Sequence, residues 1–259
     1  MFRRDLVESV RVESIRSRGF ARVQKIIRRV RKGLVGLIGD YSDFVSGWFE
    51  VGSVVGRLEE LSGVSDRSVI SSALDDDKVW FKGSGNEFTN GSSEFLGQAF
   101  GLGTKKVYNR QGEKIGLSSE VSSFEVSQRS ALQVGFLRNI KSRETKRLEK
   151  ELFRRLDNGE DFSSFKDDLA KDLKKGIRSQ AERLARSEII LMSGKAQERV
   201  IKSAGLTKYF WVAALDKRTC EQCKALHRQS FEFGGLNSPM PVTNTHPNCR
   251  CAIVVDEKS

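Results

Sequence analysis

From Val7 to Val35 the apolar residues Val7, Val10, Ile15, Val23, Ile26, Ile27, Val30 and Leu34 recur mostly at three- and four-residue steps, which predicts amphipathic helix broken near Gly19. A short helix is expected from Tyr41 to Leu61. Beyond it Asp75, Asp76 and Asp77 read as a solvated turn, because a calcium loop needs ligands at alternating positions and a turn glycine that this run lacks. From Lys82 to Gly116 there are eight glycines and little periodicity, which predicts a long loop. Gly101 to Lys105 within it lacks the spacing of a phosphate-binding loop.

From about Ser118 to Ile201 the pattern becomes strongly helical. Leu148, Leu152 and Leu156 fall four apart, Asp157-Asn158-Gly159 supplies a stop, and Ser164 with Asp167 supplies the next start. One helix is then expected to carry Phe165, Leu169, Leu173 and Ile177, and another, from Ser179 to Ser203, to carry Ala181, Leu184, Ala185, Met192 and Ala196 before ending at Gly205. These stripes are core-forming faces. After Gly205 the period changes: Tyr209 to Leu215 and Cys251 to Val255 read as strands, and Ser230 to Phe233 as a short third one, with Trp211 as a core anchor. Pro239 and Pro241 make the stretch from Asn237 to Asn244 a loop that other groups must hold in place. The expected fold class is α+β: a mainly helical body followed by a small zinc-stapled β domain at the C-terminus. The expected divisions are residues 1–117 (a basic helical region, an acidic segment and the Gly-rich loop), 118–205 (helical) and 206–259 (small, β, metal-binding).

The chain has 259 residues, 38% of them apolar, enough for one ordinary core or two small ones. No stretch near the front approaches the roughly 20 apolar residues that span a bilayer, and no signal-peptide core is present, so a reducing cytoplasm is expected, where cysteines favour metal over disulfides. The net charge is +11, unevenly spread: residues 1–40 hold 11 basic and 4 acidic residues, whereas 41–100 hold 4 and 10. Clustered cations favour polyanions through counterion release. The candidate nucleic-acid contacts are Arg22, Lys25, Arg28, Arg29, Arg31 and Lys32 on the first amphipathic segment, which a solvated basic helix face would explain as well. A membrane surface ranks last among its partners.

The chemistry is concentrated elsewhere. Cys220, Cys223, His227, His246, Cys249 and Cys251 are every cysteine and histidine of the chain, within 32 positions. Thiolate and imidazole are the ligands zinc prefers, and Cys220-x-x-Cys223 has the spacing that lets two thiolates bind one tetrahedral ion. The candidate metal ligands are Cys220, Cys223, His246, Cys249 and Cys251. The first two are firmest, Cys249 joins them with either His246 or Cys251, and His227 is the spare, with an ordinary hydrogen-bonding role. A catalytic zinc keeps an open position beside a carboxylate base. A cysteine-rich set closes the shell, so the zinc is expected to be structural, with no catalytic residue. A His-Asn-His nuclease, suggested superficially by His246 and Asn248, would need more histidine than the chain can spare.

Leu184-Ala185-Arg186-Ser187-Glu188 on a helix, then Gly205, Trp211, Asp216, Cys220, Cys223, Phe231 and Pro241, then His246-Pro247-Asn248-Cys249-Arg250-Cys251, together resemble the Mu F-like head morphogenesis (minor capsid) family of tailed phages, over roughly residues 125 to 255. The resemblance implies a minor head protein of the virion, associated with the portal protein inside the capsid at the portal vertex, passing through the host cytoplasm during assembly and acting in head morphogenesis or in DNA packaging and ejection. It implies no enzymatic activity. The basic front half would then meet packaged DNA, non-specifically, or the portal. A zinc-dependent nuclease and a zinc-knuckle DNA-binding regulator are the alternatives. Arg186 and Glu188 are expected on the polar side of their helix, pairing with backbone or with Asp216 or Arg250.

Overall fold

The computed structural model describes residues 21, 22, 24, 25, 28, 34–64, 66–105, 107–109, 113–115, 122–235, 238–247 and 249–255. The protein is α+β, mainly helical with a small three-stranded antiparallel sheet near its C-terminal end. After a helical stretch over 34–47 come α1 (Val51–Glu60), α2 (Arg67–Leu74), α3 (Asp77–Trp80), α4 (Gly85–Thr104), α5 (Ser123–Ala131), α6 (Gln133–Asp157) and α7 (Phe162–Ser203). They are followed by β1 (Lys208–Val212), α8 (Glu221–Leu226), β2 (Ser230–Glu232) and β3 (Ala252–Val255). Two compact units divide the chain: one holds residues 38–95 and 127–185, the other residues 1–37, 96–126 and 186–259.

The first unit is built on aromatic and aliphatic burial. Phe44, Trp48 and Phe88 form a ring cluster with centroids 5.3 Å apart for Phe44–Phe88 and for Trp48–Phe88. Trp80 is fully buried, and its indole N–H donates to the Leu74 carbonyl at 2.7 Å, so the largest side chain of this core leaves no polar atom unpaired. On α6 the buried face carries Leu137, Ile140, Leu148 and Leu152. That helix ends where Asp157-Asn158-Gly159 predicts, with Gly159 at φ +77° and its N–H on the Leu156 carbonyl.

Five sequence expectations are corrected here. The Gly-rich segment is not a loop over most of its length: residues 85–104 form α4, a 20-residue helix. Its buried positions Phe88, Ser92, Leu96 and Phe100 stand at four-residue steps, and the serine at 92 disguises the stripe. Two of its glycines serve close approach: a Cβ on Gly91 would lie 2.5 Å from the Phe44 ring, and one on Gly103 2.8 Å from the Ala196 methyl. The helix expected from Tyr41 to Leu61 is interrupted at residues 48–50, where Phe49 bridges to Phe81 and the Glu50 N–H reaches the Trp80 carbonyl. The two helices expected on either side of Ser179 are one, α7 of 42 residues, because the buried stripe runs on without a breaker through Ile177, Ala181, Ala185 and Ile189. Its start is set by Asp161, whose carboxylate accepts from the Ser163 N–H at 3.1 Å, rather than by Ser164. Glu188 is 2% exposed, so it belongs to the buried side of α7 and not to a polar face.

The acidic triplet does lie at a turn, with an added role. Asp76 caps α3 by accepting the Lys78 N–H, and Asp77 pairs with Lys141 at 2.7 Å. The basic segment ahead of residue 34 falls mostly outside the described residues, including Arg29, Arg31 and Lys32.

The second unit contains the sheet, in the order β2-β1-β3. Tyr209, Trp211, Ile253 and Val255 face one cluster with Val107, Val200 and Ile201, while Phe210, Val212 and Val254 face the other side. This alternation follows from the two-residue period of a strand, and the register Trp211↔Ile253 keeps like faces opposite each other. The outer edge of β3 is met by residues 107–109: Asn109 bridges to Val255, and the Val255 N–H donates to the Tyr108 carbonyl at 3.1 Å. Gly205 at φ +72° closes α7 and turns the chain into β1.

Candidate metal centre

Cys220 and Cys223 lie at the start of a helix that the sequence pattern did not disclose. Cys220 is the N-cap of α8, and its sulfur accepts the Cys223 N–H at 3.4 Å. A cysteine in place of serine or aspartate at that position is the signal that was available. The turn before it is built by Asp216, whose N–H donates to Thr219 Oγ1 at 3.0 Å and whose carboxylate accepts the Arg218 N–H at 2.9 Å.

The returning ligands arrive on the proline loop and the approach to β3. Tyr209 Oη donates to the Pro239 carbonyl at 2.8 Å, Asn244 Oδ1 accepts the Met240 N–H at 2.6 Å, and Thr245 Oγ1 accepts the Val242 N–H at 3.2 Å. These are the groups that hold the loop. Val242 sits at φ +69°, an uncommon conformation for a β-branched residue, and its N–H bond to Thr245 helps to retain it three residues before His246.

Five donors converge. His246 Nε2 is 3.2 Å from the Cys220 sulfur and 3.2 Å from that of Cys223, and the Cys223 and Cys249 sulfurs are 3.8 Å apart. Cys220, Cys223 and His246 form one group able to hold a metal ion, and Cys223, Cys249 and Cys251 form another, with Cys223 common to both. Zinc–sulfur bonds of about 2.3 Å at tetrahedral angles put neighbouring thiolates about 3.8 Å apart, so the Cys223–Cys249 spacing fits a shared ion, and the soft donor set fits zinc. All four cysteines are free thiols.

The electrostatics favour deprotonated sulfur at two positions. The Cys223 N–H holds the Cys220 thiol below its ordinary value, and the Cys251 hydrogen bond brings Cys249 down to about 5. Cys251, the donor to that thiolate, is correspondingly raised. Burial pushes Cys223 up to about 12. His246 Nδ1 lies 2.9 Å from the Pro247 carbonyl; donation there raises the imidazole's pKa and leaves Nε2 facing the sulfurs.

His227 stands apart from these groups: its Nδ1 accepts the Ala213 N–H at 3.1 Å, and burial lowers its pKa. Arg250 donates to Asp216 through both terminal guanidinium nitrogens, Nη1 and Nη2, so these two residues are partners of each other. Among the candidate nucleic-acid contacts, Arg22, Lys25 and Arg28 are exposed. No described helix is long and apolar enough to cross a membrane.

The chain is α+β, with a cysteine and histidine cluster beside its small sheet that could hold a metal ion. Residues 146–254 match the family model described as Phage Mu protein F like protein. The resemblance carried by the Leu184–Glu188 and His246–Cys251 motifs is thereby upheld over that stretch, which is similar to the Mu F-like family. No curated protein and no solved structure matches the chain.

Proposed function

We propose that the protein is a minor head protein of a phage virion, a structural component rather than an enzyme, located inside the capsid and associated with the portal protein during head morphogenesis and DNA packaging or ejection. Its C-terminal part is stapled by one structural zinc ion held by Cys220, Cys223 and Cys249 together with His246 or Cys251. The basic segment bearing Arg22, Lys25, Arg28, Arg29, Arg31 and Lys32 contacts packaged DNA without sequence preference. The observation that carries this reading is the convergence of thiol and imidazole donors from two separate segments inside the family-matched stretch. Bound zinc would contribute folding free energy to a sheet with little apolar area of its own. The non-enzymatic reading is supported by the histidines: His227 accepts a backbone N–H, and His246 faces two thiols.

Elemental analysis of purified protein is expected to find one zinc per chain. Heads assembled without the protein are expected to lose DNA retention or infectivity. Unchanged heads would defeat the assembly role. Cleavage of plasmid DNA by the zinc-loaded protein, lost in His246→Ala with zinc still bound, would replace it with a nuclease.

A further inference from the structure

The sheet register brings two distant stretches of chain to one place. Val212, the last residue of β1, pairs with Ala252, the first of β3, so the chain leaving β1 and the chain entering β3 lie at the same end of the sheet. Asp216 comes four residues after Val212 and Arg250 two residues before Ala252. Their side chains meet in a two-point pair, Arg250 Nη1 with Asp216 Oδ2 and Nη2 with Oδ1. Asp216 is also the hub of the turn that presents Cys220, through Arg218 and Thr219. Arg250 stands between Cys249 and Cys251. In an extended segment neighbouring side chains point to opposite sides: Cys249 and Cys251 are buried, and Arg250 is directed to the carboxylate. A planar guanidinium held at two points therefore sets the rotation of residues 249–251 about their own axis, and with it the direction of both thiols.

We infer that Asp216 and Arg250 are positioning residues for the metal centre, a clamp that fixes the spacing between the Cys220–Cys223 turn and the Cys249–Cys251 segment before an ion arrives. The inference rests on the zinc reading above. The pair is partly exposed, Arg250 at 18% and Asp216 at 45%, and ion pairs open to solvent contribute little to stability themselves, so the clamp acts through the geometry it imposes on the ligands. Partners that orient metal ligands typically change affinity by about 10- to 100-fold when removed.

The test is zinc affinity of the full chain, measured by competition with a chromophoric chelator, for wild type, Asp216→Asn, Arg250→Lys and the double variant. Arg250→Lys keeps the charge and loses the two-point geometry, so it remains informative if Asp216→Asn does not fold. Each single variant is expected to bind zinc about 10- to 100-fold more weakly. The double variant is expected to be no weaker than the worse single one, because either change alone already opens the clamp. Wild-type affinity in both single variants overturns the inference while leaving the zinc reading intact, as do losses that simply multiply in the double variant. A wild-type protein that takes up no zinc defeats the zinc reading and the inference with it.

Discussion

The unit of residues 38–95 and 127–185 and the sheet region that follows Gly205 reach order by different physics. The first is held by large buried side chains such as Leu74, Trp80, Phe88 and Leu152, with Trp80 fully hydrogen-bonded. The sheet region has three strands of five, three and four residues, and its Trp211 indole N–H is buried with no acceptor among the described residues. In place of aliphatic bulk it puts Cys223, Cys249 and Cys251 in its core beside Tyr209 and Trp211. The difference teaches that a small sheet can fill its core with thiols in place of aliphatic bulk, where a bound ion would add the folding free energy that the missing apolar area does not.

The largest effect expected from this contrast is on metal removal. Chelation, or Cys223→Ser, should collapse the native environment of Trp211 while Trp48 and Trp80 keep theirs. Fluorine NMR of fluorotryptophan-labelled protein reads the three indoles separately, and simultaneous loss of all three would abolish the distinction. Next in size, Phe88→Ala removes a fully buried ring and should destabilise the helical unit by about 3–5 kcal/mol. Chemical denaturation followed at Trp80 checks this, and zinc affinity should be unaltered.

The smallest effect is acid sensitivity within the helical unit. Arg154, then Arg155, holds the Glu151 carboxyl down to about 2, below its ordinary 4.5. A carboxyl whose folded value is depressed contributes above its ordinary value and loses that contribution as pH falls through the folded one. Wild type should therefore exceed Glu151→Gln by less than about 1 kcal/mol at pH 6, with the gap gone near pH 2. If the cluster holds zinc as proposed, the sheet region should fail earlier in the same titration, since acid would protonate thiolate and imidazole ligands and release the ion.

Much of this was legible in the chain. Leu148, Leu152 and Leu156 with the Asp157-Asn158-Gly159 stop, and the change of period after Gly205, follow from local rules that neighbouring residues obey among themselves. Two of the errors share one cause. α4 hides behind glycines whose value lies in what packs on them, Phe44 against Gly91 and Ala196 against Gly103. The interruption at residues 48–50 is made by Phe81 and Trp80, about thirty residues away in the chain. Helix α8 escaped notice because its six residues are too few to show a period.

By itself the sequence determined the fold class, the segment that holds every thiol and imidazole, and the family likeness of residues 146–254, because composition, periodicity and motif order are properties of the chain. Only the tertiary structure decided which donors come within reach of one another, that His227 serves a backbone N–H, and that Arg250 is the partner of Asp216. The first and last of those facts depend on the β1–β3 register, which closes a loop of about forty residues. Spacing along the chain does not specify where such a loop returns, and pairing across the sheet does.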